Sequence, residues 1–466
     1  MWRRVLLARR NLLSMWEEPA FEWEFVSARL LLRRIFLCNS PESVQFAFST
    51  HNSSFERKSP EMRNVLMPLI GDGLFVSDGD VWRRRRRIVA PIVHVSRLSK
   101  FAPIMVETAV ELRNRFMQLG EPATIDALHE MAQLTAEIIC RTLFGRELGR
   151  NYSREVVAGF SEYQRAVSTV DFLALLGLTG GLPPRFRPAI GRSVRRITSV
   201  LDRILLDHRA NCQSDGVSVI GQLFDARDED TGRPLDWEAV RNEATVLFMA
   251  GHETTANSLA WTWYLLSQAP EVEARMHAEI DQVLNGRLPT LEDVPKLTYT
   301  RAVFEEALRL YPPVPLLTRE AVRTETFKDT IIPKGSMIMV VPWLLNRHKK
   351  LWERPDEFLP ERFLPGYHKP ATKFSYVPFS IGPRVCPGMG FGLTEAILCI
   401  ATLAQAFQFR LSAEHSVHPV CRITLRPGDT LPMRLQPRPV RASGYRDLAK
   451  RNAPSGCPVH NVQTSR

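Results

Sequence analysis

Phe379-Ser380-Ile381-Gly382-Pro383-Arg384-Val385-Cys386-Pro387-Gly388 is the stretch whose reading decides the fold of this chain. It sets one cysteine in a loop crowded with glycine and proline. Arg384 stands two residues before that cysteine, and an apolar, helix-like run from Phe391 to Phe407 follows. Glycine suits strained or closely approached backbone, and proline at a first helical position opens a helix. A cysteine at a helix N-terminus beside a guanidinium is expected to have a lowered pKa, and the thiolate is the form that binds metal. A solitary cysteine before a helix is ordinarily a buried structural residue. Here every neighbour argues for a ligand loop instead.

Position for position, Phe379, Gly382, Arg384, Cys386 and Gly388 are similar to the haem-ligand signature of the cytochrome P450 monooxygenases. The resemblance implies that Cys386 is the axial ligand of the iron in haem b, and that Arg384 pairs with a haem propionate. A thiolate on haem iron pushes electron density onto the metal and favours O–O cleavage. It further implies a mainly α fold with a smaller β component. The haem-thiolate domain is expected over residues 1–437, with the resemblance starting at about residue 20. Residues 438–466 form a polar, basic tail expected to be poorly ordered.

Bulk properties narrow the choices. The 466 residues suffice for one large domain or two to three ordinary ones, and 44% hydrophobic content is usual for a globular core. The 61 basic and 50 acidic residues leave a charge of +11, which suits nucleic acid, a membrane surface or an acidic protein partner. The chain has no zinc-finger spacing, no RNA-binding aromatic signature and no long Lys/Arg tail, so nucleic acid is the weakest of these. Seven scattered cysteines without a CxxC pair argue against a disulfide framework and for a reducing compartment. Met1 to Trp16 carries Arg3, Arg4, Arg9 and Arg10 and only short apolar runs, far below the roughly 20 residues a spanning helix needs. It reads as a solvated first helix, with a membrane-surface helix or transit peptide as the alternative. No transmembrane segment is expected, which suggests a soluble, bacterial-type, cytoplasmic protein.

Along the chain, Glu24 to Cys38 reads as a first strand, and Ser40-Pro41 as the start of a short helix. Residues 59–80 read as loop because of Gly71, Gly73 and Gly79. Residues 81–210 read as largely helical, broken at Gly180-Gly181-Leu182-Pro183-Pro184. Asp236 caps a long helix to about Gln268, Pro270 opens another to about Gly286, and Tyr299 to Leu310 is helical up to Pro312-Pro313. Residues 313–345 are β-rich, 352–378 irregular, and short strands follow the Cys386 helix.

Other constellations test the resemblance. Ala250-Gly251-His252-Glu253-Thr254-Thr255 sits in the middle of the long helix. An interior glycine costs about 1 kcal/mol there relative to alanine, and such irregularities often mark functional sites. The resemblance implies that Thr254 hydrogen-bonds the oxygen being reduced and that Glu253 relays protons. Ala250 and Gly251 would leave room for oxygen and substrate. His252 is expected to point away from the iron.

Glu306-Ala307-Leu308-Arg309 puts an acid and a base three apart on an apolar helix face. A buried pair of this kind demands further partners. The resemblance supplies Arg362, making Glu306, Arg309 and Arg362 a structural triad. Trp82 is followed by five arginines, Arg83 to Arg87, and shares a helix face with Arg86. The resemblance assigns Trp82, Arg86 and Arg319 to the propionates, for which guanidinium offers a bidentate fork. Arg83, Arg84 and Arg87 are left to dock an acidic electron-transfer protein, a ferredoxin or a flavodoxin/reductase.

The substrate pocket should draw on Phe75, Phe248, Ala250, Val314 and Leu316, under a lid at Phe172 to Phe186. Mostly aliphatic lining suits a hydrophobic substrate such as a fatty acyl chain or a terpenoid. Cys457 and His460 in the tail are too few to make a metal site.

The expected activity is insertion of one oxygen atom from O2 into a C–H bond or alkene, with electrons from NAD(P)H through separate redox partners. The rivals are a haem-thiolate peroxygenase, isomerase or dehydratase that does not use O2, and a catalytically silent haem sensor. Retention of Glu253 and Thr254 speaks against both.

Overall fold

The chain opens with a hairpin of β1 (Phe25–Leu30) and β2 (Arg33–Cys38). It continues through α1 (Pro41–Gln45), β3 (Arg57–Lys58), α2 (Pro60–Ile70), α3 (Gly79–Ile92), α4 (Leu98–Met117), β4 (Ala123–Asp126) and α5 (Ala127–Phe144). Next come α6 (Pro188–Asn211), α7 (Val219–Asp225), α8 (Trp237–Gln268), α9 (Pro270–Leu284) and α10 (Thr298–Leu310). Strands β5 (Leu317–Glu320), β6 (Glu325–Phe327), β7 (Thr330–Ile332) and β8 (Met337–Val340) lead to α11 (Pro342–Leu345) and α12 (Met389–Ala404). The strands β9 (Phe407–Leu411), β10 (Val420–Cys421), β11 (Leu425–Arg426) and β12 (Pro432–Pro437) close the order. This computed structural model describes residues 11–438 apart from 31–32, 146–154, 156, 161, 164–187, 212–217, 368–372 and 422. The expected lid at Phe172 to Phe186 and the tail beyond residue 438 lie outside the described residues.

The architecture is mainly α with a smaller β component, as the resemblance implied. At its centre is α8. Asp236 caps it by accepting the Ala239 N–H at 2.7 Å, and Pro270 prevents its continuation. Most of its side chains are buried because α5, α9, α10 and α12 pack around it. The α12 helix is buried continuously from Thr394 to Ala404, and its first turns lie against α4, where Phe101 meets Phe391 edge-on.

Helix α10 has no capping residue of its own. Glu279 of α9 replaces it, accepting from the Tyr299 N–H at 2.6 Å and the Thr300 N–H at 2.8 Å.

The larger sheet has strand order β1-β2-β8-β5-β3, with β2 parallel to β8 and the other pairings antiparallel. Phe36, Val44, Phe55, Ile338 and Val340 form a separate apolar cluster there. A second sheet orders β4-β12-β9.

Three readings differ from the structure. Residues 60–70 are helical rather than loop: Ser59 Oγ accepts the Met62 N–H and Pro60 occupies the first turn, while Pro68 falls inside the last turn, just before the helix ends at Ile70. The run Phe391 to Phe407 is helical only to Ala404, and Phe407 already begins β9. The first strand is in fact two. The segment Gly79–Met117 is apolar and long enough over one window to match a membrane span by composition. It is two helices parted by a turn at Val95–Arg97, and Phe101, Met105 and Leu112 bury their side chains in the protein core.

Candidate functional site

The cysteine loop is closed by main-chain bonds. The Cys386 N–H donates to Phe379 O at 2.8 Å, and the Val385 N–H to Gly382 O at 3.0 Å. Gly382 has φ +73°, and a Cβ there would stand 1.9 Å from Phe48 O, so only glycine fits. Gly388 is the N-cap of α12, which begins at Met389. Cys386 therefore lies ahead of the helix and not at its first residue. Burial pushes the Cys386 thiol up, opposed by the Gly388 N–H and by Arg86. This corrects the expected direction, and it names Arg86 rather than Arg384 as the cation that counters burial. Coordination to a metal deprotonates a thiol outright.

A cationic well adjoins the loop. Arg384 lies over the Trp82 ring, 4.5 Å from its centroid, and donates to Ser77 O. Arg319 is buried over Phe48, at 4.8 Å. Burial, then repulsion from Arg384, lowers Arg319 to about 9; burial lowers Arg384 to about 10. Lys58, buried too, is pushed well down by burial and by both arginines. The register of β3 on β5 puts Lys58 directly opposite Arg319, a pairing of like charges that destabilises a sheet unless an anion compensates. Among the described residues none of Lys58, Arg86, Arg319 and Arg384 makes an ion pair with an acid. Motifs had singled out Trp82, Arg86, Arg319 and Arg384; the structure brings them together. Lys58 was missed, because nothing local distinguishes it.

On α8, Ala250 is exposed and Thr254 half-buried within an otherwise buried stretch, one turn apart on one face. Thr254 Oγ1 donates to Ala250 O at 2.6 Å, which leaves the hydroxyl free to accept. Glu253 is buried and takes hydrogen bonds from Thr424 Oγ1 and Arg426 Nη2, both at 2.6 Å; Asn257 Nδ2 supports Thr424 at 3.1 Å. Arg426, Thr424 and Asn257 carried no signal in the sequence. His252 points into the protein, stacked on Phe248 at 5.3 Å and edge-on to Phe160. Burial lowers it to about 4, so it is neutral.

Two expectations on this helix change. Gly251 packs on α5, where a Cβ would meet Ile139 Cδ1 at 2.9 Å, so its smallness serves helix packing rather than oxygen. Phe248 is buried against His252 and Phe160, away from Ala250: two residues on, the helix has turned by about 200°. Of the other pocket candidates, Phe75 lies beneath Lys58 Nζ at 4.4 Å and Val314 is half-buried. Leu316 packs against the cluster of Leu37, Met337, Met339 and Val341 on the larger sheet.

The triad is assembled. Glu306 takes Arg309 Nε at 2.7 Å and Nη2 at 2.8 Å, the Leu359 N–H at 2.9 Å and Arg362 Nε at 3.3 Å. Arg309 also donates to the carbonyls of Asn346, Pro355 and Glu357. These bonds hold the irregular segment between α11 and the cysteine loop. Arg83 pairs with Glu56 at 3.3 Å and Asp80 at 3.0 Å, and Arg87 with Asp230; both remain exposed, as does Arg84.

A cysteine near four buried or half-buried cations that form no ion pair with an acid among the described residues suits an anionic, metal-bearing group, as the resemblance implied. The comparisons agree with that class. The family model described as Cytochrome P450 matches residues 20–428. The chain belongs to the cytochrome P450 family and is a haem-dependent monooxygenase. It is 35% identical over 440 residues to the cyclooctatin synthase of Streptomyces melanosporofaciens, covering 93% of each chain. It is 31% identical over 417 residues to the cyclooctat-9-en-7-ol 5-monooxygenase of the same organism, covering 88% of this chain and 86% of that one. The crystal structure of a cytochrome P450DA haem domain superposes with a TM-score of 0.77 at 24% identity, covering 89% of both chains, which supports the fold.

Proposed function

We propose that the protein binds haem b through Cys386 and oxygenates a hydrophobic, unsaturated terpenoid-type alcohol, with electrons from NAD(P)H delivered by a separate ferredoxin or flavodoxin/reductase. The observation that carries the haem assignment is the cationic well of Lys58, Arg86, Arg319 and Arg384 beside Cys386, in which no acid of the described residues forms an ion pair although Glu56 and Asp78 act on Arg384 from farther off. Two propionates would bring two of the negative charges this well lacks, and guanidinium groups pair bidentately with carboxylates generally. When bound, the haem supplies the iron at which O2 is reduced and one oxygen atom is made reactive.

The residues of this chain do the rest. Cys386 holds the iron as thiolate, and Phe379 and Gly388 shape its loop. Trp82 orients Arg384 by lying beneath it. Ala250 keeps the helix face open for oxygen and substrate. Thr254 accepts and passes protons at its Oγ1, and Glu253 delivers them from the edge formed by Thr424 and Arg426. Arg84, with Arg83 and Arg87 beside it, faces solvent and suits an acidic redox protein. The substrate class is supported by one Streptomyces relative, which is named for an unsaturated alcohol as its substrate.

An absorption spectrum of the purified protein, reduced and exposed to carbon monoxide, tests the assignment. A thiolate-type carbonyl band that disappears in Cys386→Ser is expected; folded, haem-loaded protein without that band refutes it. Titration with farnesol against palmitate then tests the substrate class. A low-to-high-spin shift with farnesol supports it, and a shift with palmitate alone overturns it.

A further inference from the structure

The turn between α2 and α3 is held at both ends, at one of them by groups that no motif singles out. At one end, Glu243 of α8, fully buried, accepts the Leu74 N–H with both carboxylate oxygens, at 3.0 and 3.2 Å. Arg85 Nε of α3 stands 3.4 Å from the same carboxylate. Beside it, Asn242 Nδ2 donates to Asp72 Oδ1 at 3.2 Å, and Arg85 Nη2 donates to Asp72 as well. The turn sits so close to α8 that side chains are excluded. A Cβ on Gly71 would stand 2.3 Å from Asn242 Nδ2, and one on Gly73 would stand 2.6 Å from Val246 Cγ2. At the other end, Arg384 of the cysteine loop donates to Ser77 O. Phe75 lies between these anchors, under Lys58.

We propose that Glu243 is a positioning residue for ligand specificity: its carboxylate latches the Leu74-Phe75 turn onto α8 and so sets one wall of the hydrophobic ligand site. What the wall encloses rests on the function proposed above; the latch itself does not. A charged acceptor binds an N–H roughly twice as strongly as a neutral one. The charged groups facing Glu243 are Arg85 from α3 and Asp72 from the turn. Burial raises the Glu243 carboxyl to about 7, with Arg85 and the Leu74 N–H pulling it back and Asp72 adding to the rise. The Leu74 N–H holds this carboxyl below the value an equally buried but unlatched carboxyl would have, so while Glu243 stays buried the latch tightens as it ionises and loosens as it is protonated.

Hydrogen exchange of the full-length holoprotein at pH 6 and pH 8, corrected for intrinsic rates, tests this in the wild type, Glu243→Gln and Glu243→Asp. Protection of the Leu74 amide is expected to fall by roughly tenfold from pH 8 to pH 6 in the wild type, the scale of one charge-assisted hydrogen bond. Glu243→Gln is expected to show the low value at both pH values, and Glu243→Asp to recover part of the pH dependence. The dissociation constant for clotrimazole, a bulky apolar azole, is expected to rise about tenfold at pH 8 in Glu243→Gln, with the carbonyl spectrum kept. Equal protection in the wild type and Glu243→Gln at pH 8 overturns the latch. Unchanged clotrimazole affinity with a loosened turn overturns its role in specificity. Loss of the thiolate band in the wild type counts against the haem assignment alone, and the exchange data still judge the latch.

Discussion

Replacing Glu306 by glutamine removes one negative charge from between two arginines. Glu306 and Arg309 are both 0% exposed and Arg362 is 3% exposed, so water cannot compensate. Glutamine keeps one acceptor oxygen but turns an amide donor toward the Arg309 guanidinium, where two donors then face each other. The Leu359 N–H, 2.9 Å from Oε1, is the main-chain bond this carboxylate makes to the segment behind the cysteine loop. Removing one partner of a buried ion pair costs about 3–5 kcal/mol, a large share of the roughly 5–15 kcal/mol that stabilises a domain. The matched control is Glu305→Gln one residue earlier. Its partner Arg301 is 51% exposed at 3.4 Å, so about 0–1 kcal/mol is at stake. Urea unfolding followed by far-ultraviolet circular dichroism gives both values, and haem loss to apomyoglobin gives the consequence for the cofactor. A loss below about 1 kcal/mol in Glu306→Gln would refute the view that this carboxylate offsets two buried cations.

Gly382→Ala places a Cβ 1.9 Å from the main-chain oxygen of Phe48 at φ +73°. A loss of about 3 kcal/mol or more and poor haem retention are expected; an alanine variant as stable as the parent would contradict the close approach. Thr254→Ala should keep the haem and the carbonyl spectrum while diverting reducing equivalents to hydrogen peroxide, read as peroxide formed per NADPH consumed. Normal coupling would remove Thr254 from proton delivery. Glu243, raised from 4.5 to about 7, stabilises the fold fully below its unfolded value and loses that contribution as pH rises through the folded one. Glu243→Gln should therefore be more stable than the wild type at pH 8, by roughly 3 kcal/mol, with the gap closing toward pH 5. A gap that widens on acidification would show the sign to be wrong. Ligand positioning at Glu243 thus carries a stability cost, as functional sites commonly do.

Much of this site could be read before the fold was known. Cys386 and its glycines, the mid-helix Ala250 to Thr255, and the pair Glu306 and Arg309 are short-range patterns, set by helix periodicity and loop chemistry. The same periodicity applied strictly would have separated Phe248 from Ala250, which lie about 200° apart on α8. The loop reading of residues 59–80 failed over 60–70 because proline and glycine were weighed by number and not by position: Pro60 is favourable at a first turn.

What the sequence by itself determined is the ligand loop, the helical frame around it and the family. Each depends on residues within a few positions of one another, whose spacing is a local property of the chain. Only the tertiary structure decided which charges face each other across long separations. Lys58 meets Arg319 through the pairing of β3 with β5. Glu253 meets Arg426 because β11 lies against α8. Glu243 reaches Leu74 across 169 positions of sequence. The thiol of Cys386 is raised rather than lowered because burial depends on what surrounds the sulfur. Packing sets the partners and the solvation of a charged group, and these determine its energy.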